Sequence, residues 1–200
     1  MTAATARRTR DSLVAAAGEL IEGGGYAAAS VAAIAQRAGV SAGALYRHYP
    51  SKAELFVEVF RSAAERELAA MHEAATKSGT FASRFDAVIA TYARSALANR
   101  RLAWALVYEP VEEIVDVERL AYRRRYREGM AELLRAGIAE RAIPEQRVAL
   151  TSAAVVGAIA EALVGPLSPV GEESVTDAEL VADLVRLCRR AVGLDRDPYA

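Results

Sequence analysis

The stretch SVAAIAQRAGVSAGALYRHYPSK, Ser30 to Lys52, reads as two short helices joined through a glycine. Val31, Ile34, Ala35 and Ala38 recur at i, i+3, i+4 and i+7, which gives the first helix one apolar face of small side chains. Ser30 stands where a cap belongs, and Gly39 stands where a residue with positive φ is wanted. Val40-Ser41 restarts the chain with a second capping serine, and the helix it opens runs through about His48. The layout is that of a helix-turn-helix, in which a short first helix braces a second one able to enter the major groove. Ala35, Gly39 and Leu45 fall where the two helices touch, bend and pack.

Towards the N-terminus, Leu13, Ala17, Leu20 and Ile21 mark one face of a helix from about residue 7 to Glu22, preceded by a loose arm over residues 1 to 6. Gly23-Gly24-Gly25 is expected to end it, because each interior glycine costs roughly 1 kcal/mol relative to alanine. Tyr26 should then tuck back onto the first three helices.

Towards the C-terminus, Pro50 cannot continue a helix, and Ser51-Lys52-Ala53-Glu54 has the S-x-x-E form of a capping box. A long helix starts there, with an apolar stripe of Leu55, Phe56, Val59, Phe60 and Ala63, and continues past Leu68 and Met71 to about Thr76. Phe81, Phe85, Val88, Ile89 and Tyr92 give a helix to about Leu97, and a short one from Asn99 through Trp104 to Tyr108 is stopped by Pro110. Val111 to about Arg141 reads as another long helix. Pro144 suits the first turn of the next, which runs to Leu163 until Gly165-Pro166 ends it. After a loop to about residue 175, Thr176-Asp177-Ala178-Glu179 is a second capping box and opens a last helix. There is no strand signal and no internal repeat. The expected fold is therefore all-α with about nine helices: an N-terminal three-helix domain over 1–50 containing the helix-turn-helix, and a larger helical domain over 51–200.

Of the 200 residues, 53% are hydrophobic, ample for a buried core. The formal net charge of −1 argues for no particular partner, but its distribution does. Residues 1 to 52 hold Arg7, Arg8, Arg10, Arg37, Arg47 and Lys52 against Asp11, Glu19 and Glu22, a balance of +3 that leaves −4 for the remainder. A basic end on an acidic body is the asymmetry expected if only that end meets phosphate. The single cysteine, Cys188, cannot close an intramolecular disulfide, and no cysteine or histidine cluster offers a metal site. No metal or other cofactor is expected, and a reducing, cytoplasmic setting fits. Arg7-Arg8 is not followed by the unbroken apolar core of an export signal, since Glu19 and Glu22 interrupt the run after it. The longest uncharged apolar-rich run of the second half, Val148 to Ala160, is too short to cross a bilayer, so no membrane partner is expected.

Four blocks of residues together resemble the TetR/AcrR family of transcriptional regulators. They are Ser30-Val31-Ala32-Ala33-Ile34-Ala35, Ala38-Gly39-Val40-Ser41, Gly43-Ala44-Leu45-Tyr46-Arg47-His48-Tyr49 and Pro50-Ser51-Lys52-Ala53-Glu54-Leu55-Phe56. The likeness covers about residues 8 to 60; beyond them it rests on helix number and length. Family members usually carry phenylalanine where this chain has Tyr49, a ring that packs equally well. The resemblance implies a homodimer whose three N-terminal helices bind double-stranded DNA, whose larger domain holds a small-molecule effector, and whose last two helices pair with the partner chain. The function it implies is a repressor on a palindromic operator, released by the effector.

Ser41, Ala42, Gly43 and Ala44 lie at the end of the second helix that reaches base edges in helix-turn-helix complexes. Their side chains are too small for hydrogen-bonded readout beyond a thymine methyl, so specificity falls to Arg47, to close backbone approach at Gly43 and to DNA shape. Tyr46, His48 and Lys52 resemble family positions that contact phosphate, and such contacts fix register without reading sequence. Ser30 and Arg37, at the two ends of the first motif helix, complete the set, although Arg37 equally well solvates a helix C-terminus. Arg7, Arg8 and Arg10 either track the backbone or form an exposed arm with no specific role.

Tyr92, Trp104, Tyr108, Tyr122, Tyr126 and Met130 are candidates to line an effector cavity, because aromatics with a polar tip offer area and a hydrogen bond together; taken singly, each suits a core better. Arg123, Arg124, Arg125 and Arg127 span more than a turn and read as a solvated face. His72 stands alone, and Cys188 suits a small core position. Ala153, Val156, Gly157, Ala160 and Val164, with Leu180, Leu184 and Leu187 of the last helix, are the expected dimer interface, packed as a four-helix bundle with their symmetry mates. Two other functions stay open. A transcriptional activator would have the same sequence features, and a helical enzyme would need a Ser-His-Asp set, metal spacing or phosphate loop that the chain lacks.

Overall fold

The structure, a computed structural model, describes residues 3–170 and 175–195. Among these residues the chain forms ten helices and no strand. They are α1 (Ala3–Ala28), α2 (Val31–Arg37), α3 (Ala42–His48), α4 (Lys52–Thr76), α5 (Phe81–Ala98), α6 (Arg100–Val107), α7 (Glu113–Ala139), α8 (Val148–Ala162), α9 (Val164–Leu167) and α10 (Asp177–Val192). The all-α reading is correct.

Four local expectations need correction. The loose arm over residues 1 to 6 is helical from Ala3 onward, since nothing in Ala3-Ala4-Thr5-Ala6 opposes extension of α1; Met1 and Thr2 lie outside the described residues. The three glycines do not end α1 together: Gly23 and Gly24 stay helical, and only Gly25, at φ 76° and ψ −178°, breaks the ladder. Pro144 is not in a first turn, because the chain reaches helical geometry only after Arg147, and α8 starts at Val148. Gly165-Pro166, expected as a stop, sits inside the single turn of α9, the helix that the sequence reading did not count. The loop after it lies partly, at 171–174, outside the described residues.

The helix ends otherwise follow the residues that predicted them. Thr176 and Glu179 make a complete capping box at the start of α10. At Ser51, the Glu54 N–H donates to the serine Oγ at 3.1 Å. α7 closes without a glycine: Ala142 N–H donates to the Gly137 carbonyl at 2.9 Å around Arg141, which takes φ 57°.

The helices group into two compact units. The first comprises Met1–Glu65 and Asn99–Ala121. Packing thus adds the first turns of α4, all of α6 and the start of α7 to the three helices of 1–50, and α6 lies against α1. Leu13, Ile21, Ile34, Leu45, Leu55 and Phe56 are its fully buried large side chains before Glu65, with Val115 added from α7. Burying an aliphatic side chain of this size contributes roughly 1.5–3 kcal/mol, which is what holds such short helices in place.

The second unit comprises Arg66–Ala98 and Tyr122–Ala200. α10 packs along α5 and beside α8. Val181, Leu184, Cys188 and Val192 form the buried stripe of α10, and Arg189 Nη1 donates to Asp86 Oδ2 of α5 at 3.0 Å. Leu184, expected on the dimer face, is 2% exposed and belongs to this stripe. The spacing of 180, 184 and 187 straddles two faces of α10, so only Leu180 and Leu187 are left outside the core.

Candidate nucleic-acid interface

The short helices α2 and α3 are bounded by local hydrogen bonds. Ala33 N–H donates to Ser30 Oγ at 3.2 Å and Ala44 N–H to Ser41 Oγ at 3.1 Å, so each helix starts on its own serine. Between them the chain turns in a Schellman motif: Val40 N–H donates to the Ala35 carbonyl at 2.9 Å and Gly39 N–H to the Gln36 carbonyl at 3.2 Å, with Gly39 at φ 69°. The inner faces are closed by Ile34, Ala35 and Leu45, all buried.

The outer face of α3 carries Ala42, Gly43, Tyr46 and Arg47, all exposed, with Ala44 and His48 at its edges. Tyr46 is 52% exposed, a large ring turned to solvent on a helix of seven residues. A Cβ built on Gly43 would meet nothing within 4 Å. The protein's own packing therefore does not require glycine there, although glycine inside a helix costs about 1 kcal/mol relative to alanine.

The basic residues around this face differ in how free they are. Arg37 is exposed and pairs with Glu19 Oε2 at 2.9 Å. Arg10 is a support: its Nη1 donates to the His48 carbonyl at 3.3 Å and its guanidinium lies 4.6 Å from the centre of the Tyr49 ring, holding the C-terminal end of α3. Lys52, at the start of α4, donates from Nζ to the Tyr26 carbonyl at 2.7 Å, and the same nitrogen lies 3.7 Å from the centre of the Tyr26 ring. Burial lowers the Lys52 ammonium below the usual lysine range, while Glu112 and Glu109 act in the opposite direction. Tyr26, expected to tuck onto the first three helices, packs instead against α4, edge-on to Phe56 with ring centres 4.5 Å apart.

The aromatic set expected around an effector is divided. Trp104 and Tyr108 belong to the first unit, their rings 5.0 Å apart. Tyr92, Tyr122, Tyr126 and Met130 belong to the second, where Tyr122 and Met130 are buried and the Tyr92 and Tyr126 rings meet edge to face at 5.7 Å. Tyr126 Oη donates to Glu67 Oε2 at 2.5 Å. Sequence reasoning missed Glu67, whose signal was available: Phe56, Phe60, Ala64, Glu67 and Met71 run at helical spacing, so an acid stands in the apolar stripe of α4.

On α8, the buried side is Ser152, Val155 and Ile159. Ala153, Val156, Ala160 and Val164 are half-buried, and Gly157 is exposed. Leu187 of α10 is 44% exposed, and Leu150, which the sequence did not single out, is 64% exposed. Cys188 is buried, and burial pushes its thiol up to about 11.

Comparison with known proteins places these features. Residues 13–59 match the model for the bacterial regulatory proteins of the tetR family, the segment from α1 through the helix-turn-helix to the first turns of α4. Over 100 residues the chain is 33% identical to the HTH-type transcriptional repressor KstR of Mycolicibacterium smegmatis, a match covering 50% of this chain and 49% of that protein. The chain thus aligns with about half the length of this curated relative. Among solved structures it is similar to the TetR family transcriptional regulator PfmR from Thermus thermophilus, at 25% identity and a TM-score of 0.68, with 92% of this chain and 99% of that one covered. FadR from Bacillus subtilis, solved in complex with stearoyl-CoA, shares the fold at 20% identity and a TM-score of 0.75 over 93% of this chain and 99% of that one. A helix-turn-helix built on serine caps and a glycine turn thus matches the tetR family of bacterial regulatory proteins over residues 13–59, and the all-α fold that carries it is shared with a solved TetR family regulator.

Proposed function

We propose that the chain is a transcriptional repressor that binds a palindromic double-stranded DNA operator as a homodimer and is released by a small-molecule effector. The observation that carries this reading is the outer face of α3, where Gly43 leaves open space beside exposed Tyr46 and Arg47 while Leu45 anchors the helix beneath. In this reading Ala42, Gly43 and Ala44 approach base edges, Arg47 supplies the hydrogen-bonded readout, and Ser30, Arg37, Ser41, Tyr46, His48 and Lys52 meet phosphate.

Homodimer formation would join the α8 face of Ala153, Val156, Gly157 and Ala160, and Leu180 and Leu187 of α10, with their symmetry mates; the exposed Leu150 and Leu187 support this. Half-sites one turn apart require roughly 34 Å between the two recognition helices, so a small displacement spoils simultaneous engagement. α4 is one helix from Lys52 to Thr76 and would carry such a displacement to the reader. The effector must bind the two states with different affinity, or nothing shifts. Stearoyl-CoA, present in the B. subtilis FadR complex, is the first molecule to assay.

The test is selection of duplexes from a random-sequence pool, followed by footprinting. One protected palindrome, lost on Arg47→Ala, is the expected result; sequence-independent protection would overturn the reading. Reporter output rising on deletion of the chain separates repressor from activator.

A further inference from the structure

Every polar group of Tyr26 is in use within the first unit. Gly25 breaks α1 at φ 76°, and Tyr26 N–H donates to Glu109 Oε2 at 2.8 Å. The Tyr26 hydroxyl donates to Glu112 Oε2 at 2.7 Å, and its carbonyl accepts from Lys52 Nζ at 2.7 Å. Arg101 Nη2 donates to the Gly24 carbonyl at 3.2 Å and lies 3.9 Å from Glu109 Oε1. The cradle is fitted to a hydrogen at Gly25, where a Cβ would stand 2.6 Å from Glu109 Oε1 and 2.7 Å from Arg101 Nη2. The end of α1, the first residue of α4 and the segment between α6 and α7 are thus tied at one residue.

Lys52 is also one of the residues that the proposed function sets on phosphate. A lysine brings three N–H donors and a compact charge. Here one donor goes to a carbonyl and the charge lies over a ring face, with two carboxylates close by on Tyr26. Acceptor oxygens and negative charge are what a DNA phosphate would offer the same nitrogen, so the carbonyl, the ring face and the two carboxylates compete with phosphate for its charge.

We propose that Glu109 and Glu112 are positioning residues for DNA binding: by fixing Tyr26 they hold Lys52 in an internal site that competes with phosphate. The proposal rests on the reading of the chain as a DNA-binding regulator. Its consequence is that any shift of the segment between α6 and α7 changes how much of the Lys52 charge the DNA meets.

The experiment measures affinity and salt slope for the full chain, Glu112→Gln, Lys52→Ala and the double variant, on a duplex that the parent chain selects from a random-sequence pool. Glu112→Gln should bind about two- to fivefold tighter, the range of an exposed charge pair, with a salt slope steeper by up to about one. That gain should be absent when Lys52 is alanine. An equal gain in both backgrounds would report net charge alone and overturn the proposal, as would no gain. Tyr26→Phe keeps the charge, the ring under Lys52 and the contact with Phe56, and removes only the hydroxyl that holds Glu112. It should also bind more tightly, again only when Lys52 is present, and unchanged affinity would count against the proposal. Failure of the parent to select any duplex, or binding indifferent to Arg47→Ala, would instead remove the DNA-binding reading and take the proposal with it.

Discussion

Tyr126 donates its hydroxyl to Glu67 at 2.5 Å and so joins α7 to α4 inside the second unit. Burial raises the Glu67 carboxyl above its ordinary range, and the hydrogen bonds from Tyr126 and Ser95 only partly offset this. A carboxyl whose value is raised by folding contributes stability that is fully present below its unfolded value and is lost as pH rises through the folded one. Glu67→Gln stays uncharged and escapes that loss. The stability of the variant relative to the parent should therefore increase as pH rises from the ordinary value of 4.5 towards neutrality, measured as urea midpoints at a series of pH values. A difference that stays constant with pH would show that Glu67 titrates normally.

At Gly43 stability and function should move in opposite directions. Gly43→Ala puts a methyl into open space on α3 and should stabilise the fold by up to about 1 kcal/mol. The same methyl should hold the helix off the base edges and weaken operator binding by about tenfold, or ~1.4 kcal/mol. Thermal unfolding and a titration on one preparation decide it; a variant that binds as well as the parent would remove Gly43 from the interface.

The core of the second unit has no room at Gly137. A Cβ there would lie 2.5, 2.6 and 2.9 Å from three carbons of the Phe81 ring, and Phe81 is itself buried against Phe85. Gly137→Ala should cost about 1–3 kcal/mol through overpacking. In a chain of this length each kcal/mol lowers Tm by roughly 2–4 °C. An unchanged melting curve would mean that the ring moves aside freely.

Gly157 separates subunit association from folding. Its Cβ position is open, so Gly157→Arg should leave the fold of one chain intact and, by helix propensity, slightly favour α8. If α8 meets its symmetry mate, the arginine should shift the chain to monomer in sedimentation equilibrium at micromolar concentration. A dimer that persists would place the interface elsewhere.

What the sequence determined alone are the features decided within four or five residues. Ser30, Ser41 and Thr176 cap their helices because a serine or threonine oxygen reaches an N–H three residues on, and Gly39 turns because only glycine takes positive φ freely. Those local rules place α2, the turn and α3, and with them the exposed outer side of α3. They also carry the all-α fold, since helices such as α5 and α10 bury a stripe that can be read at helical spacing.

Tertiary structure alone decided which distant groups meet. Lys52 reaches Tyr26 across 26 residues and Tyr26 reaches Glu112 across 86, and neither pairing leaves a periodic trace in the chain. Arg10 looked like a free cation until the fold set it under the His48 carbonyl and the Tyr49 ring. Leu184 and Leu187 are both leucines of one helix, yet only packing against neighbours decides that the first is core and the second exposed. A cap or turn is set by torsions within one short segment. The partner of a buried charge is set by the path of the whole backbone, which is why the helix-turn-helix could be located from sequence, while the hold on Lys52 emerged only in three dimensions.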